Sequence, residues 1–252
     1  MSKNPSAGRQ GPRTKRQAVR EKRQRQQRKQ KLFIILGVIG VAVIIAALLI
    51  IPSLQPVGDI VTITPHERPM VDGRAMGDPN APVTIEVYED FQCPACKTFS
   101  EQIEPQVVDA YITTGDVYYI YRHFPFIDDR APRNESDQAA NASMCARDEN
   151  RFWDYHDMLF ANWNGENQGA FSDSRLVAFA EALGLEMESF NQCFNANLNK
   201  DEIDADLQSG RDSGVNGTPS VIVNGKMITP GFVPSFAEIS EAVEAELAKS
   251  SN

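Results

Sequence analysis

Val83-Thr84-Ile85-Glu86-Val87-Tyr88-Glu89-Asp90-Phe91-Gln92-Cys93-Pro94-Ala95-Cys96 is the stretch on which the fold turns. Val83, Ile85 and Val87 alternate with Thr84, Glu86 and Tyr88, the period of a strand with one buried face, here about 82–89. Two cysteines, two residues apart, follow at once. After them Phe99, Ile103, Val107 and Tyr111 recur every four residues, one face of a helix, in which Pro105 predicts a kink or break. The pair therefore lies where a strand gives way to a helix. At a helix start the peptide dipoles and free N–H groups favour a thiolate. A thiolate with a second thiol in reach is what dithiol–disulfide exchange requires. The same spacing is also half of a zinc site, so the pair alone is ambiguous.

Downstream, Thr114-Gly115-Asp116 turns the chain into a second strand, Val117-Tyr118-Tyr119-Ile120-Tyr121, ended by Pro125. Residues 127–214 read as helical. Ala139, Ala142, Ala146 and the run 152–160 give one long or broken helix. Leu176, Phe179, Ala180 and Leu183 give another, closed by Gly184; 190–196 is short, and 202–209 is polar and ends near Gly210. Ser220-Val221-Ile222-Val223 is a third strand. Asn224-Gly225 signals a two-residue hairpin with Met227-Ile228-Thr229 as partner. Phe236, Ile239, Val243 and Leu247 make a closing amphipathic helix. Upstream, Pro52, Pro56, Pro65, Pro69 and the turn cluster Gly77-Asp78-Pro79-Asn80 mark a linker over 52–74 and an ordered lead-in, with 61–63 as a short edge strand. Strand, helix, strand, helical block, hairpin and helix form a parallel βαβ start with an antiparallel edge. The expected class is α/β: a thioredoxin-like fold over 75–250 with a helical insertion at about 127–214.

The N-terminal part is of another kind. Residues 1–31 hold twelve Lys or Arg against one acid, Glu21, a net of +11, so the rest must carry −20 to give the total of −9. Residues 32–51 are twenty apolar residues without one polar side chain. At about 1.5 Å per residue they match the roughly 30 Å hydrocarbon core of a bilayer. A cleaved signal peptide has a shorter apolar region and a small-x-small cleavage site, whereas Pro52-Ser53-Leu54-Gln55 follows here. The reading is an uncleaved transmembrane anchor with the basic arm in the cytoplasm and the C-terminal domain outside. Nucleic-acid binding, the other use of such an arm, is not expected beside a membrane span.

That topology puts Cys93, Cys96, Cys145 and Cys193 in an oxidising compartment, where an even count favours pairing. A zinc site needs four ligands, but Cys145 and Cys193 are 48 residues apart and His66, His123 and His156 are scattered; no metal or other cofactor is expected. Cys145 and Cys193 read as a structural disulfide stapling the inserted helices, with buried packing residues and a second redox relay as the alternatives. Gly217-Thr218-Pro219, just before the third strand, reads as a cis-proline site beside the cysteine pair. His123 reads as ordering a loop and His156 as a core-edge histidine with a satisfied hydrogen bond.

Ala81-Pro82-Val83-Thr84-Ile85, Asp90-Phe91-Gln92-Cys93-Pro94-Ala95-Cys96, Tyr121-Arg122-His123-Phe124-Pro125, Phe152-Trp153-Asp154-Tyr155-His156-Asp157 and Gly214-Val215-Asn216-Gly217-Thr218-Pro219 occur in this order. With them the chain resembles the DsbA-like branch of the thioredoxin superfamily in its membrane-anchored form. The resemblance implies that Cys93 is the exposed nucleophile, Cys96 the buried resolving cysteine, and Pro219 the substrate-side cis-proline with Thr218 before it. It implies action on cysteine-containing exported proteins and re-oxidation by a membrane partner that passes electrons to a quinone; no dimerisation segment is visible, and a monomer is expected. A reductase or isomerase, or a peptide-binding module using the Pro219 groove, are the competing readings. Two departures stand out. Ala95 replaces the histidine that strongly oxidising members carry between the cysteines, leaving chiefly the helix start to stabilise the thiolate. Val87 occupies the position, six before the first cysteine, where relatives often bury an acid; Glu86 faces the other way, and Glu89 and Asp90 are expected at the strand end.

Overall fold

The computed structural model describes residues 27–29, 31, 34–41, 43–45, 57–130 and 134–250. The chain divides into two units, residues 1–56 and 57–252. In the first, residues 34–41 and 43–45 are helical, and side chains such as Ile34, Leu36, Val38 and Ile44 are exposed. Among the described residues no helix is long and apolar enough to cross a membrane. Of the expected span 32–51 the described residues are 34–41 and 43–45, and the arm 1–31 falls largely outside the described residues.

The second unit begins with β1 (Ala75–Met76) and β2 (Val83–Glu89), then α1 (Pro94–Gln102) and α2 (Glu104–Val107), which runs on as a π turn, Val108–Ile112. After β3 (Val117–His123) and a 3-10 turn (Asp128–Arg130) come α3 (Glu135–Arg147), α4 (Phe152–Ala161), α5 (Asp173–Leu183), α6 (Met187–Ala196) and α7 (Lys200–Asp212). The chain closes with β4 (Ser220–Val223), β5 (Lys226–Met227) and α8 (Phe236–Ser250). The sheet order is β1-β3-β2-β4-β5. β2 runs parallel to β3, with Val83 opposite Val117, and antiparallel to β4, with Ile85 opposite Val223.

This register puts Val83, Ile85, Val87 and Glu89 on one face with Val117, Tyr119, Tyr121 and His123, all buried. The helical insertion and α8 supply residues such as Phe152, Phe160, Phe179 and Val243 to that core, and α1 and α2 add Phe99 and Val107. The opposite face buries a smaller cluster of Tyr88, Phe124, Val215 and Ile222, against which Leu207 of α7 packs. The hairpin turn takes left-handed backbone at Asn224 (φ 43°) and Gly225 (φ 77°), as a two-residue turn of this type demands. The Asn224 side-chain oxygen also accepts from the Thr84 N–H at 2.8 Å, fastening the hairpin to β2.

Two expectations change, the edge strand at 61–63 and the extent of the last strand, while the two expected helix breaks are present. The first helix breaks at Ile103, because Pro105 cannot donate to the turn before it and instead sits in the first turn of α2. Residues 61–63 form no strand: the Val61 N–H and carbonyl bond to the Asn162 side chain, and Ala75–Met76 takes the open edge of β3. The run from Ala139 to Phe160 is two helices, parted at a turn where Asn150 has φ 58°. The last strand is Lys226–Met227 and stops before Thr229, whose φ of 44° leaves the extended region. Cys145 and Cys193, separated by 48 residues, are joined by a disulfide between α3 and α6. Loop-closure entropy for a span of that length corresponds to about 4 kcal/mol.

Gly210 lets α7 approach the smaller cluster, since a Cβ there would lie 2.7 Å from Phe124 Cδ2 and 2.9 Å from Tyr88 Cδ1. Gly210→Ala is therefore expected to destabilise the domain by about 1–2 kcal/mol, overpacking outweighing the helix propensity of alanine. Chemical denaturation checks it; a gain in stability would show that α7 can shift freely.

Candidate active site

The turn joining β2 to α1 is held from inside. Asp90 is buried and accepts hydrogen bonds from the N–H of Gln92 (2.9 Å) and Ile127 (3.0 Å) and from Ser136 Oγ (2.6 Å). Burial pushes its carboxyl up to about 7 despite those donors. Gln92 then ties the turn to the inserted segment. Its carbonyl accepts from Trp163 Nε1 at 2.7 Å, and its Oε1 accepts from the Asn167 N–H at 2.6 Å. The backbone carrying Cys93 is thus positioned by residues far along the chain.

Cys93 is the N-cap of α1 and Pro94 its first helical residue, where proline's missing N–H costs nothing. The Cys93 thiol is drawn down to about 6, first by a hydrogen bond from the Cys96 thiol and against burial. Thr218 and the N–H groups of Ala95 and Cys96 add to the effect, although the sulfur makes no capping hydrogen bond of ordinary geometry. The partner thiol is the largest single cause of the lowering, and the helix-start N–H groups add to it. Cys96 is pushed well above the usual thiol range, burial being the largest cause. One sulfur is thus held ready as a nucleophile and leaving group while the other is held as a thiol.

Both cysteines are free and buried, with Cys93 7% and Cys96 0% exposed. The expectation of an openly exposed Cys93 is corrected by what lies over it. The Thr218–Pro219 peptide bond is cis, and the Thr218 carbonyl sits 3.3 Å from Cys93 Sγ, accepting from it. Thr218 Oγ1 has no hydrogen-bond partner of ordinary geometry, yet the side chain lowers both thiols. Pro219 immediately precedes β4, the neighbour of β2, so the sheet brings Thr218 and Pro219 to the cysteine pair.

Beneath the pair lies an acid that the sequence reading put at the strand end without a role. Glu89, the last residue of β2, is 1% exposed, and its pKa is raised well above the carboxylate range by burial, then by Glu104 and Cys93, against a hydrogen bond from Cys96. Glu89 continues the buried series Val83, Ile85, Val87; the strand parity that excluded Glu86 selects it. Neither Glu89 oxygen has another hydrogen-bond partner. Around it stand Glu104, bound to Arg68 at 2.9 Å, and His156, whose ring packs against Phe91, Trp153 and Phe160. His156 is fully buried and not at the core edge, with Nδ1 2.9 Å from Asp157 Oδ1. His123 lies opposite Glu89 on β3, and burial holds its imidazole well below the ordinary histidine range. Cys145 and Cys193 are bonded to each other between α3 and α6, outside this cluster.

A family model described as thioredoxin matches residues 70–245. Disulfide bond formation protein D of Bacillus subtilis (strain 168) is 28% identical over 182 residues, covering 71% of this chain and 80% of that protein. The crystal structure of oxidised BdbD from Bacillus subtilis superposes with a TM-score of 0.62 at 25% identity, over 76% of this chain and 100% of that one. A stretch of 150 residues is 33% identical to part of the Na(+)/H(+) antiporter NhaA 1 of Salinispora arenicola, 60% of this chain but 21% of that one. So small a share of the antiporter carries no transport activity over.

The Cys93 thiol titrates near 6, so about nine-tenths of it is thiolate at pH 7. A thiol whose folded pKa is depressed stabilises the reduced fold above its unfolded pKa, and that contribution fades as pH falls through the folded value. Stability of the reduced form relative to the disulfide form should therefore decline from about pH 9 to about pH 6. Alkylation of Cys93 followed against pH should show a midpoint near 6, and a midpoint in the free-thiol range would refute the stabilisation. Glu89 has the opposite sign: its raised pKa costs stability as pH rises above the usual 4.5. Glu89→Gln should gain stability over the native chain as pH rises from 5 towards 8, measured by thermal unfolding at each pH.

Proposed function

The chain belongs to the thioredoxin family, in its DsbA-like branch, and is a thiol–disulfide oxidoreductase; from that premise we propose that it oxidises cysteines in exported proteins through Cys93 and Cys96. The observation that carries this reading is the opposite poise of the two sulfurs, Cys93 drawn down to about 6 and Cys96 pushed up. A stable Cys93 thiolate favours the reduced enzyme, so its disulfide is readily handed on.

In the forward reaction a substrate thiolate attacks Cys93 Sγ. The Cys93–Cys96 bond breaks, and its electron pair leaves on Cys96. Cys96 is fully buried and disfavours charge, so it takes a proton as it leaves. Glu89, protonated by its own burial and hydrogen-bonded to Cys96, is the donor. A second substrate thiolate then attacks the substrate sulfur of the mixed disulfide and displaces Cys93 as thiolate. The substrate gains a disulfide, and the enzyme keeps the two electrons. Thr218 and Pro219, against Cys93, offer backbone groups to an extended substrate segment; the carbonyl 3.3 Å from the sulfur supports that placement.

Residues 32–51 anchor the domain outside the cytoplasmic membrane, and a membrane partner passing electrons to a quinone returns the pair to the disulfide. Exposed aliphatic side chains on the described helical residues 34–41 and 43–45 support the anchor, as does the +11 arm before it.

Cys93→Ser should abolish exchange, and Cys96→Ser should trap mixed disulfides with exported proteins, visible as thiol-sensitive high-mass species. Failure to trap any species contradicts the exchange mechanism. Alkylation in cells should find Cys93 and Cys96 mostly oxidised. A mostly reduced pair would mean that the protein works as a reductase or isomerase.

A further inference from the structure

Glu89 and Cys96 account for one proton transfer but not for how that proton reaches solvent. Cys96 is 0% exposed, and in the mixed disulfide the substrate covers Cys93, the sulfur with residual access. Behind Glu89, however, the core is polar. Glu89, Glu104 and His156 are all buried, and one ionisable atom from each lies within 4.8 Å of the others. Beyond the contact with Cys96, neither Glu89 oxygen has a hydrogen-bond partner, nor has His156 Nε2, a costly arrangement unless they serve one another directly or through one bridging water. Asp157 Oδ1 orients the ring through Nδ1 at 2.9 Å. Arg68 spans Asp157 (2.8 and 2.9 Å) and Glu104 (2.9 Å). Glu104 and Asp157 in turn line a cavity of about 420 Å³, walled also by His66, Arg68 and Glu101. That cavity shares no lining residue with the cysteine pair or Pro219.

We propose that Glu104 and His156 are the outer half of a proton relay connecting Glu89, and through it Cys96, to solvent in this cavity, apart from the substrate groove. The proposal rests on the reading that Glu89 exchanges a proton with Cys96. When the Cys93–Cys96 bond breaks, Glu89 gives its proton to Cys96 Sγ. The resulting carboxylate is reprotonated by way of His156 Nε2 and Glu104 as a proton enters from the cavity. Re-oxidation runs the same path outward, and no electrons travel along it. The groups facing Glu89 are Cys93 from the N-cap of α1 and Cys96 from α1, Glu104 from α2, Tyr119, Tyr121 and His123 from β3, and His156 from α4. Two carboxylates and an imidazole could also hold a divalent cation. The Arg68 guanidinium already bound to Glu104 opposes a second cation there, which favours the proton.

The test is single-turnover reduction of the oxidised full-length chain by glutathione, against pH, for the native protein, Glu104→Gln, His156→Gln, the double variant and Glu89→Gln. The double variant should be slowed about tenfold at neutral pH, a modest share of what general acid–base catalysis supplies. Formate or imidazole, small enough to enter the cavity, should restore much of the rate and shift its pH profile, while Cys93 alkylation changes less than about twofold. An unchanged rate in the double variant overturns the relay. So does a slowed rate that neither small acid restores and whose pH profile is unmoved, because that is a structural defect. A native rate that responds to zinc or to a chelator assigns the cluster to a metal instead. Should the double variant not fold, Glu104→Gln with and without formate makes the same comparison. Native speed in Glu89→Gln removes the underlying reading, whereas a slow Glu89→Gln beside a fast double variant removes the relay alone.

Discussion

A negative charge has to be kept on Cys93 at a place that is almost closed to water, and the local structure follows from that constraint. Burial works against the charge, and the groups that oppose burial are neutral donors: the Cys96 thiol, Thr218, and the N–H groups of Ala95 and Cys96. Each of them needs accurate placement, because short-range donors lose their effect within a fraction of an ångström. The helix start provides two, the cis Thr218–Pro219 segment a third, and the second cysteine the first and largest. The same low-polarity surroundings that make these donors effective push Cys96 and Glu89 toward their protonated forms. One environment thus sets three groups in complementary states.

The helical insertion contributes the placement. The turn before Cys93 has little regular structure of its own, and its buried polar groups are satisfied from the inserted region and its approach. Ile127 and Ser136 bond to Asp90, Trp163 bonds to the Gln92 carbonyl, and Asn167 bonds to the Gln92 side chain. The disulfide between α3 and α6 limits how far those helices can move apart. It acts on the scaffold, while the Cys93–Cys96 pair remains free for chemistry.

Much of this was legible in the chain, for reasons that differ by residue. The strand period, the helix period and Asn224-Gly225 are local signals, and β2, β3, β4 and the hairpin lie where they predict. The cysteine spacing and Gly217-Thr218-Pro219 are equally local. Glu89 ends β2 as expected, and its parity with Val83, Ile85 and Val87 marks it as inward-facing. Glu104 and His156 carry no comparable signal. Their meeting with Glu89 depends on how α2 and α4 pack on the sheet, which periodicity within a single helix does not encode. The short β1 was missed for a similar reason: two residues make a strand there only because β3 offers an open edge.

The absence of a histidine between the cysteines weakens the thiolate's support without removing it, since a pKa of about 6 lies between the roughly 3.5 of DsbA and the roughly 7 of thioredoxin. The central claim is that this intermediate poise still makes the pair an oxidant. The direct test is the equilibrium reduction potential of Cys93–Cys96 in the full-length chain, measured against glutathione redox buffers. The account predicts a value clearly above thioredoxin's about −270 mV and below DsbA's about −120 mV. A value at or below that of thioredoxin would contradict it.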